Sequence, residues 1–324
     1  MSSQVITRIP ESILVTRHDK IGDFILALPL CKAIKNYAPD IRLGILVSEV
    51  NYEFASSLDF IDQVILLGSD FWSTVNAIRN FKPEVSISCF IDNRLGLLLW
   101  TAGVRKRIAP ATKIAQVFFN SKITQRRSHV AKPEWQYNME LGATLFPADA
   151  LFFSPPLITT YNTDPKVNRV VFHPGYGGSS AGNLRLEDYL RLARRASKIP
   201  NLEVVFTFGP NDRALLDRVR SILDFQATIV SEPMTLLDFC RFISQSRLFV
   251  STSTGPMHLA GSVNTPTLSF FGSSLFASSK RWAPISDPSL QTNLMIGDSY
   301  EPCMVDLIES LILDIIGNNG NGEI

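Results

Sequence analysis

At 324 residues the chain is too long for one comfortable core and suits two domains of ordinary size. Hydrophobic residues make up 45% and charged residues 19%, a globular composition, and a formal net charge of +1 argues against a nucleic-acid partner. The four cysteines (Cys31, Cys89, Cys240, Cys303) lie far apart without a CxxC pair, which suits reduced thiols in a cytoplasmic protein, and no zinc-ligand spacing occurs, so no metal is expected.

The opening MSSQVITRIPES lacks the apolar core of a signal peptide, and no apolar run approaches the roughly 18–20 residues that a membrane span needs. A soluble chain is therefore expected. From Ser12, SILVTR reads as a buried strand and DFILALPLCKAIKNYAP (Asp23–Pro39) as one helix. IRLGILVS, DQVILLG and PEVSISCF read as further strands, with VNYEFASSL and FWSTVNAIRNF as helices between them. Strand-length apolar runs alternating with helical periodicity mean βαβ units, a mostly parallel sheet, and helices covering both faces.

Between Asn93 and Pro133 stand nine basic residues (Arg94, Arg105, Lys106, Arg107, Lys113, Lys122, Arg126, Arg127, Lys132) and no Asp or Glu. Two readings stay open: a solvated surface balanced in space by acids elsewhere, or a face that meets anionic groups such as phosphates, acidic sugars or a membrane.

SPPLITTYNTDPK (Ser154–Lys166) has little periodicity and is the best linker, which places one domain at 1–155 and a second at 166–324. In the second, RVVFHPG, LEVVFTFG, ATIVS, LFVSTS and TPTLSFFG read as strands alternating with helices. The last helix, MVDLIESLILDIIG, is assigned to the second domain with the option of packing back on the first. Two doubly wound, Rossmann-like halves are expected to face a cleft, with ligands beyond the carboxyl ends of the strands.

Three loops after strands carry the chemistry of the second half. HPGYGGSSAGN offers Gly177, Gly178, Ser179 and Ser180, where backbone N–H groups and hydroxyls can approach an anion, although a plain turn has the same composition. In LFVSTSTGPMHLAG, hydroxyl residues that include Ser253 and Thr254 lead into Gly255, Pro256, Met257 and His258 at the start of a helix. Such a helix N-terminus is a ready phosphate site, and the alternative is a well-capped helix with a half-buried histidine. FTFGPND ends in Asn211 and Asp212, placed either to hold a ribose hydroxyl or to cap the next helix.

Taken together these pieces resemble glycosyltransferase family 9, the heptosyltransferases of the lipopolysaccharide inner core. The matching stretches stand in family order: RHDKIGDFILALPLCKAIK, KPEWQYNMELG, HPGYGGSSAGN, FTFGPND, STSTGPMHLAGSVNTPTLSFFG and SSKRWAP. The resemblance implies a GT-B fold with an N-terminal acceptor-binding domain and a C-terminal domain for a nucleotide-sugar donor. It implies an inverting, metal-independent transfer, without a cofactor, of a heptose from ADP-heptose to a lipid-linked anionic oligosaccharide. A place in the cytoplasm, with peripheral contact at the cytoplasmic face of the inner membrane, goes with it. Two departures bear on the donor. Ser253 stands where the family often has Asp, and Gly182-Asn183-Leu184-Arg185 stands where a Lys followed by Trp–Pro is common.

Sugar transfer needs an activated acceptor hydroxyl and a stabilised leaving diphosphate. On the donor side the candidates are the Gly177–Ser180 loop, the helix start at Thr254–His258, and Arg185 or Lys280 as charges. Asp23 is the expected general base, with Gly22 letting the backbone fold tightly beneath it and Asp19 as runner-up. Arg17, His18 and Lys20 are expected to hold acidic groups of the acceptor. A related transferase with another nucleotide sugar, and a non-catalytic nucleotide-sugar-binding relative, remain as alternatives. A dehydrogenase is disfavoured because no GxGxxG follows the first strand.

Overall fold

A computed structural model of the chain describes residues 8–147, 149–161, 164–175, 182–297 and 299–318. The chain divides into two units, residues 1–154 and 155–324.

In the first unit the elements run β1 (Ser12–Thr16), α1 (Ile21–Ile25), α2 (Leu28–Tyr37), β2 (Arg42–Val47), α3 (Glu49–Ser56), β3 (Gln63–Leu66), α4 (Phe71–Phe81), β4 (Val85–Ser88), α5 (Asn93–Thr101), β5 (Lys106–Pro110), β6 (Ser121–Ile123) and α6 (Glu134–Gly142). The six strands are parallel in the order β3-β2-β1-β4-β5-β6. β1 is buried at every position, as a central strand covered on both faces must be, and its apolar residues Ile13, Leu14 and Val15 read as one run for that reason.

The helix expected over Asp23–Pro39 is two helices. Pro29 has no N–H to give Ile25, and its ring crowds the carbonyl of the preceding turn, so α1 stops at Ile25 and α2 restarts at Leu28 with the proline in its first turn. The break frees the carbonyl of Leu26, which accepts a hydrogen bond from buried Asn138 Nδ2 on α6 at 2.9 Å. The short helix carrying Asp23 is thereby tied to α6.

The second unit repeats the plan: β7 (Arg169–His173), α7 (Leu186–Ala196), β8 (Glu203–Phe206), α8 (Arg213–Ile222), β9 (Thr228–Ile229), α9 (Leu236–Ser244), β10 (Leu248–Thr252), α10 (Gly255–Ser262), β11 (Thr267–Gly272), α11 (Ser279–Trp282), β12 (Gln291–Ile296) and α12 (Pro302–Asn318). Its parallel order is β12-β11-β10-β7-β8-β9. Counted from the first strand of each unit, both orders are 3-2-1-4-5-6, with the direction of winding reversing between β1 and β4 and between β7 and β10. One face of the second sheet packs Val170, Phe172, Phe206 and Phe270 against α7 and α12, through Tyr189, Leu192, Ile308 and Ile312. The other packs Val171, Val205 and Phe249 against Ile243 and Ala260 of α9 and α10. α12 thus completes the core of its own unit. Each fully buried Ile, Leu or Phe contributes about 1.5–3 kcal/mol over the exposed state.

Among the described residues no helix is long and apolar enough to cross a membrane, and no group of His, Cys, Asp and Glu could hold a metal ion. Cys31, Cys89 and Cys240 are buried free thiols and Cys303 is exposed.

Candidate functional site

Both reversals of winding place loops where chains splay apart, with Arg17 to Asp23 following β1 and Ser253 to His258 following β10. In the first unit Arg17 follows β1 and is 3% exposed. Its Nε donates to Asp19 Oδ1 at 2.7 Å, Nη2 to Asp23 Oδ1 at 2.5 Å and Nη1 to the carbonyl of Cys89 at 3.2 Å. The guanidinium expected to meet the acceptor is therefore committed to the two carboxylates, and what it holds is Asp23. The turn itself is pinned by Asn51 Nδ2, which donates to the carbonyl of Asp19 at 3.2 Å.

Asp23 sits in the first turn of α1, where a carboxylate is favoured by the helix dipole. Burial pushes its pKa above the ordinary carboxylate value; Arg17 opposes this, and the nearby charges of Asp19 and Glu134 add to the upward push. A carboxyl poised upward, yet still partly open to solvent, is what proton abstraction near neutral pH requires. Gly22 is helical and lies at no positive φ, so the fold-back expected of it does not occur.

His18 Nε2 lies 2.7 Å from Asp92 Oδ2, and its ring meets the edge of Phe90 at 5.3 Å between centroids. The hydrogen bond to His18 holds the Asp92 carboxyl down at about 2, and the same side chain caps α5 through Leu95 N at 2.7 Å. Lys113 places its Nζ 3.8 Å from the Phe90 ring centre and donates to the carbonyl of Ile91 at 3.3 Å. Lys20 is exposed beside them.

Sequence reasoning assigned no role to Phe90, Asp92 or Glu134, and took Lys113 and Arg127 only as members of the basic segment. Glu134 is 2% exposed and ion-paired with Arg127, which also bonds Gln125 and faces the Tyr137 ring. The signal available was KPEWQYNMELG, whose Glu134 bears on Asp23 electrostatically and whose Asn138 caps the α1–α2 break.

In the second unit Gly177, Gly178, Ser179 and Ser180 lie outside the described residues. The ends of their loop are well placed. A Cβ on Gly175 would stand 2.0 Å from Asp212 Oδ2, and Asp212 accepts from Gly209 N at 2.8 Å, so this carboxylate bridges the loops after β7 and β8. Asn211 is exposed alongside. At the far end Gly182 adopts φ +75°, and a Cβ there would meet the Phe271 carbonyl carbon at 2.3 Å. Thr252 Oγ1 donates to the Gly182 carbonyl at 2.8 Å, while Asn183 Nδ2 donates to the Pro174 carbonyl at 3.1 Å. No side chain of any kind fits at Gly182.

Ser253, Thr254, Gly255 and Pro256 are half-buried at the start of α10, whose cap residue Thr254 makes no side-chain bond to the helix N–H groups. A helix start that its own cap residue leaves unbonded is the kind of end that anions meet. Met257 is fully buried and turned into the core, and His258 is 4% exposed, with burial holding its pKa down at about 4. His258 is thus neutral at pH 7. Arg185 is exposed but engaged: Nε donates to Asp188 Oδ2 at 3.0 Å and the guanidinium lies 4.9 Å from the Tyr300 ring centre. Lys280 is exposed on α11.

Two Rossmann-like units of this strand order give the chain a GT-B fold. The solved structure of Escherichia coli ADP-heptose lipopolysaccharide heptosyltransferase II superposes with a TM-score of 0.77 at 15% identity, covering 95% of this chain and 98% of that one. Escherichia coli heptosyltransferase WaaC, solved with ADP, gives 0.72 at 14% identity over 94% and 99%. A glycosyltransferase family 9 structure from Veillonella parvula gives 0.72 at 15% over 93% and 89%. At the level of sequence, residues 170–306 match the model of glycosyltransferase family 9 (heptosyltransferase). A Haemophilus influenzae protein named "Putative glycosyltransferase" is 32% identical over 301 residues, 86% of this chain and 87% of its own length. The chain belongs to glycosyltransferase family 9.

Proposed function

We propose that the chain transfers a heptose from ADP-heptose to a lipid-linked, anionic inner-core acceptor, with inversion and without a metal. The observation that carries this reading is Asp23, a carboxyl raised by burial and clamped by Arg17 at the reversal point of the first sheet. The acceptor O–H gives its proton to Asp23 as its oxygen attacks the anomeric carbon. The bond from that carbon to the diphosphate oxygen breaks, and its electron pair leaves with the nucleoside diphosphate. The uncapped N–H groups of α10 and the Gly177–Ser180 loop meet that charge. Ser253, Thr254, Gly255 and Pro256 shape this end, Asn211 and Asp212 face the ribose, and Arg185 and Lys280 supply outer charge. His18 and Lys20 orient the acceptor.

The ADP-bound state of one structural relative supports an adenine nucleotide, and the family match supports heptose. Titration with ADP, UDP, GDP and CDP, read by thermal shift, is the direct test, because a ligand bound only to the folded state raises the transition. Selective stabilisation by ADP is expected. Selective UDP or GDP binding sinks the heptose assignment while keeping the reaction class, and no nucleotide binding favours a non-catalytic relative. Asp23→Asn is expected to lower turnover at least 100-fold with nucleotide binding retained.

A further inference from the structure

A cavity of about 280 Å³ opens in the first unit at the amino ends of β4 and β5, the edge of the sheet opposite the loops that carry Asp23 and Asp92. It forms because α4 and α5 both end there, and the chain leaves each through a left-handed residue, Lys82 at φ +52° and Gly103 at φ +82°. A lysine at such a position, where glycine is the default, is held at a conformational cost. Pro83 and Ala102 give the wall an apolar part, and Arg79, Lys82, Arg105 and Glu84 give it charge.

Cations at helix C-termini have a use without any ligand, since they complement the dipole. Arg79 serves both helices in this way: it lies in the last turn of α4, and its Nη2 donates to the carbonyl of Thr101, the last residue of α5, at 2.9 Å. Arg42 adds a further charge at the end of α4, bonded to the Phe81 carbonyl with its guanidinium 4.8 Å from that ring centre. Lys82 and Arg105 are surplus to this need. The carbonyls around them already have donors: those of Arg79, Lys82, Val104 and Arg105 accept from Lys82 N, Ser12 Oγ, Arg107 Nη1 and Asn120 Nδ2. Among the described residues none of Arg79, Lys82 and Arg105 pairs with a carboxylate, and of the basic residues between Asn93 and Pro133 only Arg127 and Lys132 do. Glu84, the acid of the lining, accepts from Glu11 N at 3.3 Å and lies 3.7 Å from Arg8 Nη2.

We infer that this cavity binds a small sugar phosphate, with Arg79, Lys82 and Arg105 around the phosphate and Glu84 accepting from a sugar hydroxyl. Cations from three separate segments converge on one recess and suit a group whose oxygens only accept. A carboxylate among them repels a bare anion but takes an O–H, so the fitting ligand carries both groups. The volume stands near the lower end of small-ligand pockets, roughly 300–1,000 Å³, which is more than a phosphate alone fills. The cavity shares no residue with the candidate transfer site, and its occupant follows from neither the donor nor the acceptor reading. It does sit on the elements that hold that site: β4 runs from here to Cys89, whose carbonyl takes Arg17, and α5 runs to here from Asp92, the partner of His18.

Calorimetric titration of the full chain with ribose 5-phosphate, inorganic phosphate and ribose tests this. Ribose 5-phosphate is expected to bind saturably at about 1 mM or tighter, inorganic phosphate more weakly, and ribose not at all. Binding should weaken as salt rises. Lys82→Gln/Arg105→Gln removes two charges and leaves Arg79 on Thr101. It should weaken ribose 5-phosphate about tenfold or more, with the thermal transition and the response to ADP unchanged. Glu84→Gln should tighten inorganic phosphate by about twofold or more, because a like charge leaves the lining, and narrow the preference for ribose 5-phosphate. No saturation by ribose 5-phosphate up to about 10 mM, or equal binding by the wild type and the double variant, overturns the proposal. The second result would put the phosphate elsewhere, as at the start of α10. Equal affinity for phosphate and ribose 5-phosphate overturns it too, since the sugar would then have no place. Failure of the wild type to bind ADP would bear on the transferase reading alone.

Discussion

Replacing Arg17 by methionine removes the guanidinium held between Asp19 and Asp23 while keeping an unbranched side chain in its place. The arginine is 3% exposed, and its contacts with the two carboxylates are 2.7 and 2.5 Å long. Removing one partner from such a buried group costs about 3–5 kcal/mol, because the remaining charges lose their compensation. A second route gives a similar figure. A neighbouring Arg⁺ lowers an aspartate pKa by about 1–3 units, so its loss should raise Asp23 by that much, and at 1.36 kcal/mol per unit this one group accounts for about 1.4–4 kcal/mol.

The sign with pH follows. Burial already raises Asp23 above its unfolded value, so the folded state binds a proton more readily than the unfolded chain does, and Asp23 detracts from stability as pH rises. In Arg17→Met the folded value climbs further. The cost of the substitution should be full above that value and shrink as pH falls into the ordinary carboxylate range. Urea unfolding of wild type and variant at pH 8 and pH 5 reads this directly. Adding Asp23→Asn to Arg17→Met should restore much of the loss at pH 8, and the acid limb of turnover should move upward in the single variant. A cost below about 1 kcal/mol at pH 8, or one that does not shrink on acidification, would refute the clamp.

Gly182→Ala forces a Cβ into a left-handed position against the Phe271 backbone, and should cost about 2–4 kcal/mol or, if the loop swings away instead, weaken nucleotide binding; a variant unchanged in both unfolding and nucleotide titration would contradict the geometry. His173 and His258 are held neutral by burial, each at about 4, against about 6.5 in the unfolded chain. Their stabilisation is complete above about 6.5 and is lost as pH falls towards about 4, by about 3 kcal/mol per histidine, so His173→Gln/His258→Gln should flatten the pH dependence of unfolding across that window. Asp92→Ala removes both the α5 cap and the partner of His18, and should cost about 1–2 kcal/mol at pH 7 once its partial exposure is discounted. Since the folded Asp92 is depressed to about 2, that difference should persist above about pH 4 and vanish as pH falls through 2, as paired unfolding curves would show.

The elements most legible in the sequence were those whose burial is uniform. SILVT and LFVST are central strands, covered on both faces and buried at every position. β5, β6 and β12 escaped because two of them are edge strands and the third lies next to an edge: KRIAP begins with two charges, SKI has three residues, and QTNLMI is only half-buried. Asp23 and the α10 start could be found because each follows a strand within a few residues, which makes the signal local. The partners of Asp23 were not local. Glu134 reaches it through the packing of α6, Cys89 takes the third bond of Arg17 from the neighbouring strand, and Phe90 and Lys113 meet only once β4 and β5 lie side by side. Gly22 shows the opposite error, a plausible local reason attached to a residue that the fold uses as part of a helix.

The two units share a strand order yet arrange opposite electrostatics at the same topological position. Beyond β1 the chain sets a buried guanidinium in contact with two carboxyl groups, Arg17 with Asp19 and Asp23. Beyond β7 and β10 it presents neutral backbone donors, keeps both histidines uncharged, and ties the carboxylate of Asp212 to Gly209 N. A departing diphosphate gains from such donors and loses from any free carboxylate, so under the proposed reaction the two ends are complementary in charge as well as in role. Topology fixes where the loops fall, and the few residues after each strand fix what they do. That is why relatives at 15% identity can share the fold.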